Sequence, residues 1–191
     1  MAKDRQIEGV TERMPFAEAG AIVVETRAEE LFAHADGVLD TTEIEGVHDM
    51  RVATRRLRAA LEVFAPCFPK AEHKRVLREV KAIADALGER RDSDVAIASL
   101  SSFAGQMPTP DRPGIASLVE RFADEQRAAN AALVPFVGAD RLRRLESALK
   151  HLVAAARDAV PPAPGPEAVS EAQAEAASPA AGNGSAPGEG V

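Results

Sequence analysis

The chain has 191 residues, 23 Lys plus Arg against 30 Asp plus Glu, a formal net charge of −7, one cysteine and neither Trp nor Tyr. That length suits one domain with tails, and a single cysteine excludes an intrachain disulfide and fits a reducing compartment. No run approaches the roughly 18 apolar residues of a membrane span, and Met1-Ala2-Lys3-Asp4-Arg5 leads into Glu8 and Glu12 rather than an apolar signal core, so a cytoplasmic protein is expected.

The acidic total conceals an asymmetry. Residues 1–47 hold four basic and eleven acidic side chains, residues 48–91 eleven basic and six acidic, residues 92–160 eight and nine, and residues 161–191 four Glu with no Lys or Arg. A nucleic-acid binder is commonly basic overall; one basic segment with acidic flanks reads instead as a focused anion site.

In chain order, residues 1–14 are polar and unpatterned, the composition of a disordered arm. Pro15 suits a first helical turn, and Phe16, Ala19, Gly20, Val23, Val24 and Leu31 recur near a 3.6-residue period, predicting a helix to about Ala35 that Asp36-Gly37 breaks. Thr42 with Glu45 three residues on has the form of a capping box. It opens a second helix that runs to about Phe64, presents Val47, Met50, Leu57, Leu61 and Phe64 as its apolar face, and is stopped by Pro66 and Pro69. A third helix spans Lys70 to about Leu87 with Val76, Val80, Ile83 and Leu87 as its core face; Gly88 suits its end or a kink, and Asp92 is a plausible N-cap for a helix from Asp94 to Phe103. Gln106–Gly114, with three prolines, reads as a loop. A fourth helix covers about Ile115–Val137 with Pro135 near its end, and Gly138-Ala139-Asp140 restarts a short fifth to about Val160. From Pro161 the composition is that of a disordered tail. The expected fold is all-α: an antiparallel four-helix bundle over residues 15–160 plus a short fifth helix, between an arm at 1–14 and a tail at 161–191.

The second helix carries the most specific pattern. His48, Arg51, Arg55 and Arg58 are spaced by three, four and three residues, which on a helix advancing about 100° per residue places them on one stripe roughly 80° wide. The stripe lies beside the apolar face, at the edge of a packed groove. Lys74, Arg78 and Lys81 align in the same way on the third helix, within roughly 40° of a common line that also holds Asp85. Aligned cations repel one another, so an anion is implied. Arg offers a planar fork for phosphate oxygens, Lys a mobile point charge, and His48 a further donor. Glu62 is the one acidic neighbour on the first stripe, while Arg56, about 80° off it, is expected at the surface. Arg90, Arg91, Asp92 and Asp94 suit a capping and ion-pair cluster at a helix junction; two Asp at i and i+2 make poor metal coordination. His34 and His151 read as surface or packing residues, whereas His73, beside Lys74, is a secondary candidate for the anion site. Cys67, in Pro66-Cys67-Phe68-Pro69, reads as a small packing residue rather than a reactive thiol.

Val47-His48-Asp49-Met50-Arg51-Val52-Ala53-Thr54-Arg55-Arg56-Leu57-Arg58 resembles the signature helix of CHAD domains, the conserved histidine α-helical domain family. Leu77–Lys81 through Ala86-Leu87-Gly88-Glu89-Arg90-Arg91-Asp92-Ser93-Asp94-Val95 resembles that family's Leu-Gly-x-x-Arg-Asp-x-Asp-Val element. With Ala131–Leu152 the resemblance spans roughly residues 15–158. It implies a helical bundle that binds inorganic polyphosphate in a basic channel without catalysis or a cofactor, on His48, Arg51, Arg55, Arg58, Lys74, Arg78 and Lys81, and that associates with polyphosphate granules. Family members usually pair two such repeats. Here one is present, and Arg141, Arg143 and Arg144 do not restore the His-x-x-Arg-x-x-x-Arg pattern. The expectation is therefore a homodimer that rebuilds the two-repeat bundle, or else a single-repeat binder of weaker affinity. Two other readings compete: a nucleic-acid-backbone binder, disfavoured by the acidic flanks and the lack of Trp and Tyr for base stacking, and an accessory subunit of a polyphosphate-processing enzyme. An enzyme is not expected, since the chain has no Gly-x4-Gly-Lys-Ser/Thr phosphate loop and no acidic tunnel domain of the kind sometimes fused to this family.

Overall fold

A computed structural model describes residues 5–159, and among them every regular element is helical: α1 (Phe16–Ala33), α2 (Ile44–Val63), α3 (Lys70–Gln106), α4 (Arg112–Val137) and α5 (Ala139–Asp158), with 3-10 turns at Ala65–Cys67 and Thr109–Asp111. The all-α expectation holds. No described helix is long and apolar enough to cross a membrane.

Most of the expected apolar faces are buried; the exceptions are Phe16, which is 56% exposed, and Ala19, Val23 and Phe64, which are half-buried. Val24 and Leu31 of α1, Val47, Met50, Leu57 and Leu61 of α2, and Val76, Val80, Ile83 and Leu87 of α3 are shielded almost completely, and Leu145, Leu149 and Leu152 of α5 complete the core. Close approach of α1 to the end of α2 depends on Gly20, because a Cβ there would lie 2.8 Å from Cδ1 of Phe64. The Phe64 ring fills that space and packs on Phe16, ring centroids 4.8 Å apart.

Three local expectations are corrected. The N-cap of α2 is Glu43 rather than Thr42, because Asp40 claims Thr42 first: its Oδ1 accepts the Thr42 backbone N–H at 2.8 Å and the hydroxyl at 2.7 Å. These two bonds hold the Asp40 carboxyl below its ordinary range. The break at Gly88 does not occur; α3 runs unbroken for 37 residues, about 55 Å, and Asp92 sits on its exposed face rather than at a cap. The fifth helix is not short either. With 20 residues it equals α2, and it packs on α1 to close the bundle.

α4 and α5 together run back along the whole of α3. Asp94 meets Gln126, Arg90 meets Asn130 and Glu79 meets Arg141, a single antiparallel register that continues across Gly138. Pro135 stands inside α4, two residues before its end, where it cannot donate to the Ala131 carbonyl and only the last turn loses a bond. Of the arm expected at 1–14, the part from Arg5 onward is irregular but anchored on α1: the Arg5 carbonyl accepts Arg27 Nη1 at 3.1 Å, and its guanidinium lies 2.8 Å from Glu29. Residues 1–4 and the expected tail at 161–191 lie outside the described residues.

The core stripe of α3 continues past Leu87 into charge. Val76, Val80, Ile83, Leu87, Arg90 and Asp94 alternate four- and three-residue steps, so Arg90 and Asp94 point inward as well, and both side chains are fully buried and ion-paired. Around them Gln126 Nε2 donates to Asp94 Oδ1 at 2.7 Å, Arg90 Nε donates to Asn130 Oδ1 at 3.3 Å, and Asn130 Nδ2 donates to the Leu39 carbonyl at 3.0 Å. One polar network thus ties α3, α4 and the α1–α2 loop. Asp94→Ala would strand the Arg90 charge in the interior and is expected to lower the unfolding free energy by about 3–5 kcal/mol. Arg90→Met/Asp94→Leu should recover most of that loss, since an apolar pair removes both desolvation costs. Urea denaturation measures both; a single variant within about 0.5 kcal/mol of the parent would contradict the burial.

Candidate anion-binding site

The seam between α2 and α3 brings the two cationic stripes together. Arg91 Nη1 donates to the Ile44 carbonyl at 3.2 Å, and His73 Nε2 donates to the Leu61 carbonyl at 2.8 Å. These contacts fix an antiparallel register in which residues 51–58 run alongside 76–84. The apolar residues of both helices face the core, so the cations beside them emerge along one edge of the seam. His48 and Arg51 are half-buried, Arg55, Lys74 and Arg78 exposed, and the stems of Lys74, Arg78 and Lys81 enclose a depression of about 410 Å³ floored by Ala71 and Leu77.

Glu62 shows that the stripes meet. Its Oε1 accepts from Arg58 Nε of α2 and from Lys81 Nζ of α3, both at 3.1 Å. The Lys81 bond and then the Arg58 bond hold the Glu62 carboxyl below the usual carboxylate range. One carboxylate oxygen thus gathers a guanidinium of α2 and an ammonium of α3.

The remaining cations of the face have no counter-ion among the described residues. Among the described residues His48, Arg51, Arg55, Lys74 and Arg78 form no ion pair, and Lys70 and Arg75 add two more free cations on α3. Elsewhere pairing is the rule: Arg121 with Glu125, Arg127 with Asp124, Arg141 with Glu79, Arg143 with Asp140, Lys150 with Glu146 and Arg157 with Glu25. Asp85, expected to share the charge of the α3 stripe, pairs with none of it, since Lys81 turns across to Glu62 instead.

Other candidates fall away from the face. His73 is buried, bonded to Leu61 and stacked on Phe68 with centroids 5.9 Å apart, so it is a packing residue. Arg56 is not a plain surface residue: it reaches Glu30 of α1, a carboxylate only 3% exposed that Arg27 also holds at 2.8 Å. Arg90 and Asp94 form the expected ion pair, but inside a continuous helix rather than at a junction. Cys67 is half-buried, and burial pushes its thiol pKa up, as suits packing rather than reactivity. A cavity of about 540 Å³ between α1 and α5 has an apolar floor of Ala28, Phe32, Leu149 and Val153, and its rim charges are already paired, Glu29 with Arg5, Glu146 with Lys150 and Glu25 with Arg157, which leaves no free cation there for an anion.

Searches among curated proteins and among solved structures return no match. A scan of family models does: the CHAD domain matches residues 22–183. That span covers most of the 191 residues and takes in both cationic stripes and the buried Arg90–Asp94 pair, so the chain belongs to the CHAD domain family.

Proposed function

We propose that this domain binds inorganic polyphosphate along the basic face of α2 and α3 and holds it without chemical change. The CHAD family is associated with polyphosphate binding. The observation in this chain that carries the reading is the clustering of cations without counter-ions on two adjoining helices of a protein whose other described cations are mostly paired. A linear polyanion supplies the missing charge along the length of both stripes. Arg51 and Arg55 grip phosphate oxygens as forks, Arg78 and Lys74 continue the face towards the end of α2, and His48 donates at the other end. The groups on the face are binders. The nearest carboxylate, Glu62, is engaged by two cations, which leaves it poorly suited to act as a base or to hold a metal.

The proposal includes a second copy of the chain. From Val95 to Pro110 the sequence has no charged residue, yet this stretch lies mostly in the distal part of α3, where Val95 and Phe103 are 47% and 51% exposed, and Leu118 of α4 is 44% exposed. An uncharged, apolar surface of this kind resembles the core of a protein interface. A second CHAD repeat packed there would rebuild the paired bundle. Phe103→Glu is expected to yield a monomer in analytical ultracentrifugation; a parent that sediments as a monomer and still binds polyphosphate at full strength would end the dimer proposal.

Two binding experiments address the site. Arg51→Glu/Arg55→Glu is expected to abolish binding of long-chain polyphosphate with helicity unchanged by circular dichroism, and wild-type affinity in that variant would refute the assignment. Glu62→Gln removes the resident anion and is expected to raise affinity roughly threefold to tenfold, the scale of one or two half-exposed ion pairs; a fall in affinity would mean that Glu62 serves to position Arg58 and Lys81 for the ligand.

A further inference from the structure

The geometry points to a second anchor for the same ligand: the cationic track crosses the exposed side of α3 and ends at a pocket between α3 and α5, where Arg75 and Arg144 take phosphates that only a long polyphosphate chain can bring there. This rests on the polyphosphate reading above and extends it to chain-length selection.

Arg75, Arg78 and Lys81 are spaced three residues apart. Such a row does not run parallel to the helix axis but climbs across it at about 45°, with neighbouring Cβ atoms about 5–6 Å apart. Its two ends touch different helices. Lys81 Nζ lies 3.1 Å from Glu62 of α2. Arg75 lines a pocket of about 200 Å³ with Val76 and Glu79 of α3 and Arg144, Leu145 and Ala148 of α5. The row therefore carries positive charge from the α2 side of α3 to its α5 side.

The pocket's own charges favour an anion. Arg75 and Arg144 are exposed and form no ion pair among the described residues, whereas their neighbours on α5 are occupied: Arg143 pairs with Asp140, and Arg141 with Glu79. The one carboxylate of the pocket is thus already neutralised by Arg141, whose guanidinium also lies 4.6 Å over the Phe136 ring. Two forks remain without an internal anion, over apolar walls that reduce screening. Their planar shape and spacing along an extended track suit the non-bridging oxygens of successive phosphoryl groups. A short oligomer satisfied by the α2–α3 face does not extend over α3, so this pocket contributes only to long chains.

The test compares tripolyphosphate with long-chain polyphosphate on the full chain and on Arg75→Gln/Arg144→Gln, whose exposed positions leave the fold intact by circular dichroism and melting temperature. The double variant is expected to bind the long chain roughly tenfold more weakly, as for the loss of two exposed charge contacts. Its salt-dependence slope should fall by about 1 to 1.5, the release expected for two single-strand phosphates. Tripolyphosphate affinity should stay at the parent value. Undiminished long-chain binding, or equal losses for both ligands, overturns the second anchor while the α2–α3 site stands. A parent protein that binds neither ligand overturns the polyphosphate reading and this inference together.

Discussion

Like charges are held together against their own repulsion by an apolar seam. Along α2 the steps from His48 through Arg51 and Arg55 to Arg58, and along α3 from Lys74 through Arg78 to Lys81, place cations three or four residues apart, where each like pair costs about 0.2–0.5 kcal/mol. Beneath them Val47, Met50, Leu57 and Leu61 meet a core that includes Val76, Val80, Ile83 and Leu87, and burying one such side chain contributes about 1.5–3 kcal/mol. Packing wins by a wide margin. The fold can therefore keep a face that is electrostatically uphill when empty and favourable when an anion lies on it. Glu62 relieves the strain at one point, where two cations of different helices come within reach of one oxygen.

Legibility in the sequence followed the range of the interaction. Core faces could be read because burial imposes a period within a single helix, and the apolar lines of α2 and α3 are the buried ones. Gly88 and Asp92 carry local stop and cap signals that suggest a break in α3, while the signal against a break is the unbroken alternation of four and three steps from Val76 to Asp94. That alternation passes through Arg90 and Asp94, which look like surface residues until their mutual pairing is known. Gly88 itself has open space where a Cβ would stand, with no neighbour within 4 Å, so nothing about its packing calls for a turn. At α2 a short-range competitor decided the outcome: Asp40, two residues upstream, captured the Thr42 donors before a capping box could form.

The candidate site divides along the same line. Each cationic stripe is a pattern within one helix and was visible as spacing. What joins or removes a charge lies on another helix: Glu62 reaching Lys81, Glu30 reaching Arg56, Glu79 reaching Arg141. A sequence shows that Arg144 departs from a motif but not that it stands free beside Arg75 while Arg141 and Arg143 are paired. Counting charges by segment found the basic region, and only the fold distinguished free cations from neutralised ones.

The distribution of charge also bears on which polyanion the face admits. The protein is acidic overall, and the carboxylates that rim the α1–α5 groove are each paired with a cation, so the unpaired positive charge on the α2–α3 side is the part of the surface that draws a polyanion. A nucleic-acid duplex presents phosphates on a broad cylinder, and its binders spread positive charge over a correspondingly wide footprint. The stripes here are each one helix face wide and flanked by carboxylates. A thin, flexible chain with charge at every unit can follow them without bringing distant phosphates near the acids. Shape and sign together, rather than affinity for phosphate alone, are what favour the proposed narrow linear polyanion over a duplex.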